Sequence, residues 1–270
     1  MTKAVIISIS SDIGTALAES YLDQGIDVVG TYRTSNKEIE ALAQRGVKLV
    51  QMDLADAASV NQAGEKLNEM ADNWDFLVVS PGLLEPIGAF DKVDFNAWNN
   101  SIQVNFTNQL RITHHLLESR NKSSKLGSLV LFFAGGGTNN ATTNFSAYTV
   151  SKVALIKMCE LLDAEIKDTR FSIVGPGWVK TKIHESVLNA ENEAPEGHAA
   201  TVERYKDDDF VPMSKVVNCC NWLFDQPREV ISGRNFSVAW DAWGNESLTG
   251  ELQKNQNMYK LRRSGNDWKP

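Results

Sequence analysis

Short apolar runs rich in Val, Ile, Leu and Phe recur at 4–8, 27–31, 47–52, 76–80, 128–134, 171–174 and 236–239. They are bounded by turn residues and carry little polar alternation, the pattern of strands buried on both faces. Between them the apolar spacing lengthens to three and four, which predicts helices over about 13–24, 56–71, 95–119, 146–168 and 213–225, several opening after Asp or Ser. Strand and helix in turn demand parallel strands with right-handed crossovers, so the pattern predicts an α/β, doubly wound seven-stranded parallel sheet with helices on both faces. The stretch from Lys182 to about residue 210, with ENEAPEG and KDDD, is the most polar and least periodic. It follows a late strand at the carboxyl edge, where open α/β sheets bind ligands, so it reads as a mobile substrate lid, with disordered surface as the alternative.

The chain has 270 residues, 42% hydrophobic and 23% charged, enough for one large core. One domain over 1–240 with an extension over 241–270 is expected. A formal charge of -7 offers no basic face to a phosphate backbone, which argues against nucleic acid. The apolar start, Ala4 to Ile9, is too short to span a membrane and lacks a small-residue cleavage site. Cys159, Cys219 and Cys220 form no CxxC, so neither a disulfide framework nor a zinc site is indicated and a reduced cytoplasm fits. His114 and His115 are neighbours on a helix, point in different directions and do not chelate; one surface and one half-buried histidine are expected.

Two places carry candidate chemistry. The turn in ISISSDIGTALAES puts free backbone N–H groups and a helix dipole where a phosphate would be held. Only Gly14 remains of the usual glycines, Ser8 and Asp12 taking the other places; Ser10 and Ser11 can donate to phosphate and Asp12 can cap the helix, and a plain helix cap is the competing reading. The second place is Tyr148 and Lys152, one helical turn apart on one face. An ammonium beside the phenol would lower a pKa that starts near about 10 and make Tyr148 a general acid or base; an ordinary i, i+4 contact is the alternative.

SSDIG near the amino terminus, Asp53-Leu54, Ser80-Pro81-Gly82, Asn105, Tyr148-x-x-x-Lys152 and Gly175-Pro176-Gly177 with Thr181 stand in an order that resembles the short-chain dehydrogenase/reductase family from about residue 3 to 240. The resemblance implies a Rossmann-type fold, with Tyr148, Lys152 and Asn105 catalytic, Lys152 also on the ribose hydroxyls and Asn105 helping to hold a relay water. It implies a cofactor site of Ser8, Ser10, Ser11, Asp12, Ile13, Gly14, Arg33, Asp53, Leu54, Ser80, Pro81, Gly82, Tyr148, Lys152, Pro176, Gly177, Val179 and Thr181. The family's TGxxxGxG stands here as Ile7 to Gly14 with two glycines replaced, and its NNAG as Val79-Ser-Pro-Gly82. Where NAD-using members carry an acidic residue after the second strand, this chain has Tyr32 and then Arg33. A guanidinium suits a 2′-phosphate, so NADP(H) is expected over NAD(H).

The family's catalytic serine lies about thirteen residues before the tyrosine, which here reaches Gly135, next to Ala134 and followed by Gly136 and Gly137. A lost oxyanion donor costs about 100-fold or more in rate unless replaced. The glycine run as a backbone nest, or Thr138, Asn139, Thr142 and Thr143, could replace it. The tail, WDAWGNE to Tyr259 and LRR, is similar to tails of bacterial relatives in surface-polysaccharide metabolism, which suggests a polar, sugar-like substrate; Trp240 and Trp243 would cap the cleft or enter a subunit contact. Family habit implies a homodimer or homotetramer. The expected function is NADP(H)-dependent hydride transfer to or from a small carbonyl or alcohol, with a catalytically weak dinucleotide-binding sensor or assembly subunit as the alternative.

Overall fold

The computed structural model describes residues 1–135, 137–265 and 268. Strands β1 (Lys3–Ile7), β2 (Asp27–Tyr32), β3 (Lys48–Gln51), β4 (Phe76–Val79), β5 (Ser128–Phe133), β6 (Thr169–Gly175) and β7 (Arg234–Ser237) form one sheet in the order β3-β2-β1-β4-β5-β6-β7. Every pairing is parallel. The winding direction reverses between β1 and β4, which opens a crevice at their carboxyl ends.

The helices are α1 (Asp12–Asp23), α2 (Lys37–Gln44), α3 (Ala57–Met70), α4 (Phe95–Ile102), α5 (Asn108–Leu116), α6 (Ser146–Glu165), α7 (Glu185–Leu188), α8 (Pro195–Asp207), α9 (Met213–Asp225), α10 (Arg228–Ile231) and α11 (Glu246–Lys254). The sheet has an apolar layer on each side because successive strand residues point to opposite faces. Ala4 and Ile6 pack with Leu17, Tyr21 and Leu223 of α1 and α9. Val5 and Ile7 pack with Leu67, Ile112 and Leu155 of α3, α5 and α6. The near-continuous apolar strands thus follow from burial on both sides.

The helix expected over 95–119 is divided. A five-residue π-helical turn, Gln103–Thr107, joins α4 to α5, and a short 3₁₀ turn ends the run at Ser119. The polar stretch after residue 182, the least periodic in the sequence, holds a 3₁₀ turn (Lys182–His184) followed by α7 and α8. Buried Val187, Ala194 and Thr201 anchor it, and Pro195 opens α8. An aromatic and cationic stack ties it to the loop after β6: the Trp178 and His184 rings lie 4.9 Å apart, and the Arg204 guanidinium sits 4.8 Å from the Trp178 ring centre.

The tail folds back on the same chain. The buried Arg234 guanidinium donates to the carbonyls of Leu252, Asn255 and Met258 at 2.6, 3.1 and 2.5 Å. Asn235 N–H donates to the Tyr259 carbonyl at 2.8 Å, and Arg262 pairs with Glu160. Trp243 packs beside Trp222, whereas Trp240 is 88% exposed at the cleft rim. Residues 266, 267, 269 and 270 of the expected extension lie outside the described residues. No helix is long and apolar enough to cross a membrane, and no metal-ligating cluster occurs among the described residues.

Candidate active site

A cleft of about 1290 Å³ runs along the carboxyl edge of the sheet. It is lined by every residue expected in the site except Gly14 and Asn105, which stand behind its wall.

Asn105 is fully buried within the π turn. Its Oδ1 accepts from Leu83 N–H at 2.8 Å, while its Nδ2 donates to Leu83 O at 2.7 Å and to Ser101 Oγ at 3.0 Å. The amide is therefore fully engaged in clamping the loop after β4, and Gln109 Nε2 adds a bond to Pro81 O at 3.1 Å. Single π turns interrupt helices where a side chain must be re-aimed, and no residue type announces one.

Lys152 on α6 is 2% exposed, and its Nζ donates to Pro81 O at 2.9 Å. The Nζ lies 5.7 Å from the Tyr148 ring centre, toward its face. This corrects the expected electrostatics. Burial pushes the phenol up to about 12, and burial pushes the lysine down to about 7. Tyr148 is thus a protonated group in a half-buried seat, next to an amine poised near neutrality.

The seat is apolar, with Leu84, Ile87, Phe145, Ile183, Val187 and Ala194 around the tyrosine. Two glycines flank the ring. An added Cβ at Gly82 would lie 3.8 Å from Cε2, whereas one at Gly135 would lie 2.3 Å from Oη and 2.4 Å from Cε1. The Tyr148 hydroxyl makes no hydrogen bond among the described residues. Thr138, Asn139 and Thr142 line the cleft, Thr143 does not, and Gly136 lies outside the described residues.

At the other end, Ser8 adopts a left-handed φ of 63°. Its N–H donates to Thr31 Oγ1 at 3.0 Å and its carbonyl accepts from Ser11 N–H at 2.9 Å. The helix cap is Ser11, not Asp12: Ser11 Oγ accepts from Gly14 N–H at 3.0 Å and contacts Ser80 Oγ at 3.3 Å, and Ser80 in turn donates to Ile7 O. Asp12, the first residue of α1, accepts from Lys182 N–H at 2.8 Å, tying the turn to the segment across the cleft. Ile13 is half-buried against the core. Gly14 is obligatory, since a Cβ there would lie 2.4 Å from the Ser8 carbonyl. The side chain of Ser10 makes no hydrogen bond among the described residues.

Arg33 is exposed at the rim and pairs with no carboxylate among the described residues. Asp53 Oδ1 accepts from Ala55 N–H at 2.9 Å, closing its own turn, and the Leu54 carbonyl is held by Asn108 Nδ2. Gly177, after Pro176, has φ 78°; Val179 is buried beyond it, and Thr181 Oγ1 donates back to the Val179 carbonyl. The apolar cleft residues beside Tyr148, Leu84, Ile183 and Val187, were not singled out from the sequence, because isolated aliphatics in polar segments carry no periodic signal.

These residues fit a nicotinamide dinucleotide: the turn at the start of α1 is closed to any Cβ at Gly14, and the cleft continues from there to Tyr148 and Lys152. Comparison with known proteins agrees. The family model described as enoyl-(acyl carrier protein) reductase matches residues 8–239. An uncharacterized oxidoreductase of Staphylococcus saprophyticus is 30% identical over 189 residues, 67% of this chain and 79% of that protein. A short-chain dehydrogenase/reductase structure from Saccharomyces cerevisiae superposes with a TM-score of 0.78 at 21% identity, covering 92% of this chain and 98% of that one. The RhlG/NADP active-site complex of Pseudomonas aeruginosa gives 0.74 at 19% identity, covering 88% and 95%. The chain belongs to the short-chain dehydrogenase/reductase family of oxidoreductases, a family that uses nicotinamide cofactors.

Proposed function

We propose that this protein is an NADP(H)-dependent oxidoreductase that interconverts a small carbonyl compound and its secondary alcohol. The observation that carries the reading is the Tyr148 hydroxyl at the cleft wall, one helical turn from a buried lysine held by Pro81 O. A bound nicotinamide would supply the hydride in one direction and accept it in the other. Tyr148 gives its proton to the carbonyl oxygen in reduction and takes one from the alcohol in oxidation. Lys152, near neutrality, is matched to reload that proton, and Asn105 keeps the 81–83 loop in place.

Arg33 supports NADP(H): it is a rim cation with no paired carboxylate among the described residues, and a guanidinium suits a 2′-phosphate. Ser10 and the α1 N-terminus would hold the pyrophosphate, and Asp53 and Leu54 the adenine side. Asn139 and Thr142 offer polar contacts to a hydroxylated, sugar-like substrate, while Leu84, Ile183 and Val187 ask for an apolar face on the same molecule. Exposed Val150 and Leu161 on α6 support a homodimer or homotetramer, and three buried free cysteines suit the cytoplasm. The absence of a side chain at Gly135 favours a second reading, a dinucleotide-binding sensor or assembly subunit with little catalysis.

The test is NADPH and NADH binding by fluorescence, with turnover over a panel of ketones, for the wild type, Tyr148→Phe and Arg33→Ala. Tyr148→Phe should keep NADPH binding and lose about 100-fold or more in turnover. Arg33→Ala should weaken NADPH about 10-fold and leave NADH unchanged. Binding with no Tyr148-dependent turnover would select the sensor reading.

A further inference from the structure

Gly135 and Tyr148 share one space. The ideal Cβ position at Gly135 lies 2.3 Å from Tyr148 Oη, 2.4 Å from Cε1 and 2.6 Å from Cζ, all well inside the closest approach of real carbon atoms. The contact is part of a longer one, because a Cβ at Gly137, φ 92°, would lie 2.4 Å from Thr149 Cγ2. The loop after β5 therefore rests its backbone directly on the first turn of α6. On the opposite edge the ring has only ordinary contact with Gly82, and behind it stand Phe145, Ile183 and Val187, so the only way it can yield is outward into the cleft.

The geometry points to Gly135 as the positioning residue that seats the Tyr148 hydroxyl: the phenol occupies the place of a side chain at 135, so a serine added there displaces the tyrosine instead of completing the site. This rests on the oxidoreductase reading for its catalytic consequence, though not for its packing. One hydroxyl then stands where a serine and a tyrosine would have crowded each other, and the glycine is a requirement of the tyrosine's position. A passive loss of the serine would have left room at 135 for its return; none is left.

Gly135→Ala and Gly135→Ser, each in the wild-type and Tyr148→Ala backgrounds, separate the two accounts by thermal unfolding without any substrate. Opposite the native tyrosine, Gly135→Ala should lose about 5 °C or fail to fold. In the Tyr148→Ala background the same change should cost no more than about 1 °C. The Tyr148 ionisation, read by alkaline difference absorbance against Tyr148→Phe, should fall by at least about one unit in Gly135→Ala as the ring is pushed toward water. For NADPH-dependent ketone reduction, Gly135→Ser should lower kcat at least about 10-fold with KM within about 3-fold. Equal melting losses in both backgrounds, an unmoved Tyr148 titration, or a Gly135→Ser enzyme as fast as the wild type would each overturn the assignment. A wild type without turnover would fail the oxidoreductase reading alone, and the melting and titration arms would still decide the seat.

Discussion

At the β1–α1 turn a side chain stands on backbone that would suit a glycine, and at the end of β5 a glycine stands where a neighbouring side chain fills the space. Ser8 holds φ 63° because Thr31 Oγ1 and Ser11 N–H fix its two peptide groups from outside. There the backbone path is what has been kept. At Gly135 the backbone is bare, and Tyr148 Oη lies within 2.3 Å of where a Cβ would be. There a side-chain position has been kept, at the cost of a neighbour. The difference teaches that a departure from a motif must be weighed by what surrounds it: at the turn the neighbours enforce a conformation, and at β5 they take up volume.

Gly14→Ala should break the comparison most severely at the turn. Its Cβ would meet the Ser8 carbonyl at 2.4 Å and Ile9 Cα at 2.9 Å, both backbone atoms that cannot swing aside. A destabilisation of about 3 kcal/mol, read by urea unfolding, and at least about 10-fold weaker NADPH binding are expected. A variant as stable as the wild type would mean that the turn can open, and the argument from backbone enforcement would be lost.

Lys152→Met tests the side-chain end through pH. The folded lysine titrates near 7 and an unfolded one near about 10.4, so between these values the unfolded chain binds a proton that the folded chain does not. Wild-type stability should therefore rise with pH across roughly 7 to 10, by up to about 1.4 kcal/mol per unit, relative to the variant. Below pH 7 the full desolvation penalty applies and the methionine variant should be the more stable. Tyr148 acts in the opposite sense at higher pH: its folded value of about 12 exceeds the unfolded one near about 10, so that contribution is lost as pH rises through 12. Parallel stability–pH curves for wild type and Lys152→Met would show that the amine is not buried as described.

The same contrast explains what was legible in the sequence. The seven strands were, because burial on both faces leaves runs such as Val130, Leu131 and Phe132 with no polar interruption. The last strand begins two residues earlier than the apolar pattern suggests, since Arg234 and Asn235 read as loop until the tail carbonyls that receive the guanidinium are in place. Helix α2, with only Ile39 and Leu42 buried, left no usable periodicity. Tyr148 and Lys152 were legible as a pair because i, i+4 spacing fixes a shared face, but their ionisation was not: spacing does not report desolvation. The Asn105 clamp and the Gly135 contact depend on a π turn and on atoms thirteen residues apart, which local pattern does not encode.

Ser8→Gly carries the smallest expected effect and sharpens the comparison most finely. A non-glycine residue in the left-handed region costs about 1 kcal/mol or more, which glycine relieves. Glycine also gains freedom in the unfolded chain, which takes back about 0.4–1 kcal/mol. The net change should be a gain of under about 1 kcal/mol in urea unfolding, with the Thr31 and Ser11 bonds intact because both use Ser8 backbone groups. NADPH affinity should stay within about 2-fold, since the turn offers its backbone and not the Ser8 hydroxyl. A 10-fold loss of NADPH binding would mean that the hydroxyl itself contacts the cofactor, and the turn would then resemble the β5 end, where the side chain and not the path is what matters.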